Sequence, residues 1–154
     1  MADIKIEDIK KLKELSGVGL TDAKMALVEA KGDFDKALEA MRKKGLTKAE
    51  KRGDRETREG LIDGYVHDGR IGAIVEVNCE TSFVAKTDEF RDLAHKIAMQ
   101  VASMDPKDVA ELMAQEYILD TSKTVEAFVK DAIAKTGENI VIKQFKRIEL
   151  GVTE

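Results

Sequence analysis

The sequence predicts an α+β chain, a three-helix N-terminal bundle followed by a small antiparallel sheet with helices packed on one face. Three observations lead there. Apolar residues recur at helical spacing in three short stripes within 1–45, separated by glycines. The period then changes to two on either side of Asp68-Gly69. Last, a clean helical stripe from Phe90 to Val101 precedes a third strand-like run from Asn139 to Leu150.

The first helical stripe is Ile6, Ile9, Leu12 and Leu15, ending at Ser16-Gly17. Leu20, Ala23, Ala26, Leu27 and Ala30 form the second, with Thr21 expected as its N-cap, Asp22 in its positive first turn and Gly32 as its stop. Phe34, Ala37, Leu38 and Met41 form the third, capped by Asp33 and ended at Gly45. So slight a core suits a docking module of modest stability. From Leu46 to Glu59 the apolar pattern disappears and the charges alternate in sign, which reads as a solvated helix or linker. The expected organisation is therefore a helical module over 1–45, a charged linker over 46–59 and an α+β core over 60–154.

Asp68-Gly69 between two β-rich runs predicts a hairpin with a two-residue turn. That turn pairs His67 with Arg70, Val66 with Ile71, Gly64 with Ala73 and Ile62 with Val75. It puts Ile62, Val66, Ile71, Ala73, Val75 and Val77 on the core face. The opposite face, with Leu61, Tyr65 and Ile74, is too apolar for a solvated sheet and invites a protein partner.

Phe90, Leu93, Ala94, Ile97, Ala98 and Val101 define the clearest amphipathic helix, with Thr87 as N-cap and Asp88 and Glu89 in the first turn. Asp105-Pro106 is expected to open another, with proline first, carrying Val109, Leu112, Met113 and Tyr117. Val125, Phe128, Val129, Ala132 and Ile133 mark a last helix, ended near Gly137. The final strand loses its alternation between Ile142 and Phe145, which predicts a bulge. A lone hairpin is marginal, so this strand is expected to join it.

The composition fits a globular chain with an aliphatic core: 154 residues, 43% hydrophobic, 36% charged, 5% aromatic and no Trp. A net charge of −4 gives no electrostatic argument for binding nucleic acid. No segment approaches the ~18–20 apolar residues of a membrane span, and Met1-Ala2-Asp3-Ile4-Lys5 lacks a signal-peptide pattern. Cys79 is the only cysteine, so no intrachain disulfide can form. A cytoplasmic protein without cofactor or membrane contact is expected.

No constellation for covalent chemistry emerges. Gly17-Val18-Gly19 precedes a helix but lacks the remainder of a phosphate-loop motif and follows a helix, not a strand. Cys79 as a nucleophile with His67 or His95 as base is weighed against a small buried side chain at a strand end, and the second reading is preferred. Neither histidine has a second His or Cys at metal-ligand spacing, so no metal site is expected. The segment that stands out runs from Glu76 to Lys86, because it places Phe83 and Val84 in a loop. Exposing Phe83 forfeits roughly 1.5–3 kcal/mol of burial. The ring either tucks into its own core or waits for a partner's pocket, and the pattern leaves both open.

That segment, Glu76-Val77-Asn78-Cys79-Glu80-Thr81-Ser82-Phe83-Val84-Ala85-Lys86, resembles a signature of the elongation factor Ts family. Leu12 to Leu27 is similar to the family's first signature, and Ala134-Lys135-Thr136-Gly137-Glu138-Asn139-Ile140 to its third recurrent stretch. Three motifs in the right order cover nearly the whole chain. The resemblance implies a non-enzymatic guanine-nucleotide exchange factor acting on elongation factor Tu. Its three-helix module, similar in fold to ubiquitin-associated domains, would dock on the GTPase through Lys13, Gly17, Gly19, Leu20 and Thr21. Thr81, Ser82, Phe83 and Val84 would form the loop that wedges into the GTPase, dislodges its Mg²⁺ and releases GDP.

Several positions depart from the family pattern. Ser82 stands where the family has Asp, weakening any charge-based action of the loop, and Lys13 stands for Arg, losing a bidentate fork. Met25 replaces the usual Lys and Thr136 the usual Ile. With a single core unit the chain resembles short members expected to work as homodimers through sheet-to-sheet contact. The stretch between Met104 and Thr124 looks abbreviated even beside these. Two rival readings are weighed. One is a ubiquitin-associated-type binding module without exchange activity. The other is an RNA-binding protein using Lys48, Lys51, Arg52, Arg55 and Arg58, which interleaved acids and the absence of stacking aromatics oppose.

Overall fold

The computed structural model describes residues 4–16, 18–51 and 53–153, with the backbone alone for 45–51. Three helices open the chain: α1 (Ile6–Ser16), α2 (Leu20–Glu29) and α3 (Phe34–Lys51). Their apolar stripes meet in a separate small core of Ile9, Leu12, Ala23, Ala26, Leu27, Ala37 and Met41. Asp33 caps α3 as expected, its carboxylate accepting the Lys36 N–H at 3.2 Å. The α2 cap is different: Gly19 holds that position without a side-chain bond, and Thr21 lies inside the helix. Gly45 does not end α3, which runs on to Lys51. Glycine lowers helix propensity by only about 1 kcal/mol, and α3 packs against a helix of the second unit (α7, below) along part of its length.

The second unit begins with β1 (Glu59–His67) and β2 (Ile71–Cys79), followed by the one-turn helix α4 (Ser82–Ala85) and the long α5 (Asp88–Met104). Next come α6 (Val109–Ala114), the strand stubs β3 (Glu116–Tyr117) and β4 (Asp120–Thr124), α7 (Val125–Thr136) and β5 (Val141–Glu149). The main sheet is antiparallel in the order β1-β2-β5, and α5 packs on one face of it. The last strand thus completes the sheet as the pattern required. Its ladder slips where Glu76 pairs with Gln144 but Val77 with Ile142, so Lys143 is the bulged residue between Ile142 and Phe145.

The hairpin register differs from the expectation by one residue. Asp68 and Gly69 do adopt positive φ (50° and 64°), and Arg70 N–H donates to the His67 carbonyl at 2.9 Å. The ladder, however, opens with His67 opposite Ile71, leaving Arg70 outside the pairing. Its carbonyl accepts the Leu150 N–H at 2.7 Å instead. A one-residue slip exchanges the faces of β1. Leu61 and Tyr65 therefore turn to the core beside Ala73, Val75 and Val77, while Ile62 and Val66 turn outward. Contacts with α5 favour this choice: Tyr65 meets His95 edge-on at 5.8 Å, and Asp63 lies 3.5 Å from the His95 ring nitrogen.

The large core joins this sheet face to Phe90, Leu93, Ile97 and Val101 of α5 and to Leu112, Val125, Val129 and Ile133. Thr87 caps α5, and Gly137, at φ 76°, ends α7 as expected. Pro106 does not open α6, which starts at Val109 behind an Asp108 cap. Tyr117 is not helical: it lies in β3, buried and stacked on Phe128 at 4.1 Å. The buried Gln100 amide holds this segment, donating to the Glu116 carbonyl at 3.0 Å and accepting the Ile118 N–H at 2.9 Å.

Candidate partner-binding site

Strand β2 delivers Cys79 into the core, and the chain must turn within a few residues to enter α5. Cys79 is buried and its thiol donates to the Thr81 carbonyl at 3.3 Å. Burial first, and the Glu138 charge second, push this thiol up to about 11, which with its burial favours the reading of a small core side chain over that of a nucleophile.

Past Cys79 the segment leaves the core as a single helical turn held between two threonine caps. Thr81 Oγ1 accepts the Val84 N–H at 3.4 Å, and Thr87 Oγ1 accepts the Phe90 N–H at 3.2 Å while donating to the Val84 carbonyl at 2.7 Å. Within this turn Ala85 points inward and is buried, and Val84 is half-buried. Phe83 projects outward and is 85% exposed, more than any other large hydrophobic side chain among the described residues. Of the two fates open to this ring in the sequence, the structure takes the outward one.

The base of the turn is clasped by the corner between α7 and β5. Glu138 Oε1 accepts the N–H groups of Glu80 (3.2 Å) and Thr81 (3.0 Å), and its Oε2 accepts the Thr81 hydroxyl at 2.7 Å. In return, Glu80 Oε1 accepts the Asn139 N–H at 2.7 Å. The buried Asn139 amide donates to the carbonyls of Gly53 (3.3 Å) and Arg55 (2.9 Å). Arg55 in turn lies 3.5 Å from Glu80. Sequence pattern alone missed Glu138 and Arg55 as parts of this site. Their only trace was the motif around Glu138, because the bonds of Glu138 to Glu80 and Thr81 and of Asn139 to Arg55 all join positions far apart in the chain.

The other candidate residues lie on the helical module. Lys13 is in the last turn of α1, while Gly19, Leu20 and Thr21 stand at the start of α2, all exposed. Together they flank one corner; Gly17, the fifth candidate, lies outside the described residues. At Gly19 an added Cβ would meet nothing closer than an Asp22 carboxylate oxygen at 3.8 Å, so steric need does not explain that glycine.

A second exposed apolar surface is the outer face of the sheet. The register puts Ile62, Val66, Ile74 and Ile148 there, each at least half exposed, with Gly64 and Gly72 between them. The expected mixed face thus exists, but with Ile62 and Val66 in place of Leu61 and Tyr65. Among the described residues no group of three His, Cys, Asp or Glu is placed to hold a metal ion, and no helix is long and apolar enough to cross a membrane.

The family model described as Elongation factor TS matches residues 80–154, a span that opens at the base of the turn that carries Phe83, the finger of the site. The Elongation factor Ts of Fervidobacterium nodosum is 40% identical over 195 aligned residues, covering 97% of this chain and 99% of that protein. That of Thermotoga maritima is 42% identical over 193 residues, with 97% of both chains covered. That of Moorella thermoacetica is 40% identical over 190 residues, with 94% of both covered. These alignments are longer than the 154 residues of this chain, so the relatives carry residues that it lacks.

Proposed function

The chain belongs to the elongation factor Ts family, a family of translation elongation factors, and from that premise we propose that it is the guanine-nucleotide exchange factor of elongation factor Tu. The module over 1–45 docks on the nucleotide domain of the GTPase through the corner of Lys13, Gly17, Gly19, Leu20 and Thr21. The linker over 46–59, whose first part continues α3, connects it to the core over 60–154, whose turn Thr81-Ser82-Phe83-Val84 enters the GTPase. There the Phe83 ring displaces a helix contact beside the bound Mg²⁺. That ion demands near-ideal octahedral geometry, so a small displacement loosens its hold on the diphosphate and GDP leaves.

Binding of the factor and of GDP oppose one another, and the coupling is reciprocal. No covalent bond forms or breaks. Ser82 brings no charge to this contact, so the action is steric. The outer sheet face of Ile62, Val66, Ile74 and Ile148 serves a homodimer, working in the cytoplasm with no direct contact to nucleic acid.

The observation that carries this reading is the exposure of Phe83 on a turn held at both ends by Thr81 and Thr87 and at its base by Glu138. A large apolar side chain held in water by a rigid mount is costly unless a partner covers it. Release of fluorescent GDP from elongation factor Tu tests the proposal. Acceleration at micromolar concentrations of this chain is expected, and its absence overturns the reading.

A further inference from the structure

We propose that Glu138 is a positioning residue for nucleotide exchange, its carboxylate fixing the turn on which Phe83 stands. The inference rests on the exchange reading above and assigns a role to a residue that does not reach the finger tip itself.

Three donors converge on this one side chain, two backbone N–H groups and the Thr81 hydroxyl, and both carboxylate oxygens are engaged. A carboxylate is an acceptor at every site, whereas an amide would turn a donor toward one of these groups. The Thr81 bond has a consequence for the finger. A hydroxyl has one hydrogen; Thr81 gives it to Glu138, which leaves its lone pairs aimed at the Val84 N–H. Glu138 therefore orients the cap of α4. That helix has four residues, far too short to hold itself, so the direction of Phe83 depends on its two caps and the clasp beneath.

The mount of Glu138 is itself fixed. Asn139 N–H is held by Glu80, the Asn139 amide by the carbonyls of Gly53 and Arg55, and the Arg55 guanidinium reaches the Gly137 carbonyl at 3.4 Å. Strand end, linker and helix end thus meet at one corner. A finger already in its bound shape loses less freedom on insertion, and that gain belongs to the exchange step rather than to docking of the helical module.

The test measures GDP release from elongation factor Tu over a range of factor concentrations. Glu138→Gln should lower the maximal release rate about tenfold, the order expected for losing charge-assisted hydrogen bonds, with the half-saturating concentration changed less than about twofold. Thr81→Val, which removes only the hydroxyl, should lower the rate in part. The double variant should fall short of the product of the two effects, because both break one bond. The chain has no Trp, so Phe83→Trp provides a single reporter in the free protein. Its fluorescence anisotropy should fall when Glu138→Gln or Thr81→Val is added.

An unchanged maximal rate, multiplicative effects, or a loss confined to half-saturation overturns the proposal. If Glu138→Gln does not fold, Thr81→Val decides alone: unchanged rate and anisotropy overturn the proposal. A wild-type chain that releases no GDP overturns the exchange reading instead, and anisotropy of the free protein still reports whether Glu138 holds the turn.

Discussion

Glu80 and Glu138 exchange hydrogen bonds across the base of the finger, the Glu80 carboxylate taking the N–H of Asn139 at 2.7 Å and the Glu138 carboxylate the N–H of Glu80 at 3.2 Å. Two like charges sit close here, and backbone donors satisfy them both. The arrangement binds the exit of β2 to the entry of β5. It explains why an 85% exposed ring is not the tip of a slack loop.

Phe83→Ala should slow GDP release by roughly 30-fold, the loss typical of an interface hot spot of about 2 kcal/mol. The ring touches little of its own molecule, so the melting temperature should move by no more than a few degrees, as for an exposed position. Exchange kinetics and a thermal melt on the same sample check both halves. A large loss of stability would return Phe83 to the core.

Charging the outer sheet face separates assembly from folding. Val66→Asp and Ile148→Asp place carboxylates on side chains that are 69% and 74% exposed. The monomer should tolerate them within about 1 kcal/mol, while a dimer built on that face should dissociate. Light scattering reads the mass, and a variant that stays dimeric places the interface elsewhere.

The Cys79 thiol is raised to about 11 from 9.0, chiefly by burial. Folding therefore favours its protonated form. The contribution is fully present below pH 9, the unfolded value, and is lost as the pH rises from about 9 towards 11, where the unfolded chain ionises first. Iodoacetamide should label the native protein slowly at pH 8 and rapidly once it is unfolded. Fast native labelling would contradict the burial.

Gln100→Leu should destabilise the chain by about 1–3 kcal/mol, because the Glu116 carbonyl and Ile118 N–H would lose their buried partner. Hydrogen exchange should show the loss concentrated in β3 and β4, with β1 and β2 protected as before. Uniform loosening would mean that the amide supports the whole core rather than this segment.

The helices were legible because a period of 3.6 needs no knowledge of a partner. The stripe from Phe90 to Val101, the Asp33 and Thr87 caps and the stop at Gly137 are all local chemistry. Even the bulge at Lys143 left its mark, since an extra residue breaks the alternation between Ile142 and Phe145. The elongation factor Ts motifs likewise lie in continuous stretches. Local signals failed at Gly45, where α3 continues, at Pro106, where α6 starts only at Val109 behind the Asp108 cap, and at Tyr117, whose segment the Gln100 amide holds out of a helix.

Residue order by itself thus determined the α+β class, the three N-terminal helices, the hairpin, the long helix α5, the helix α7, the last strand and the motifs that mark the family, while α4, β3 and β4 were not legible in it. The register of β1, and with it the identity of the outer face, awaited the third dimension. Leu61 and Tyr65 compete with Ile62 and Val66 at the same spacing, and only a helix packed on one side can choose between them. The direction of Phe83 was hidden for the same reason, because a four-residue turn takes its orientation from Glu138, a residue far away along the chain.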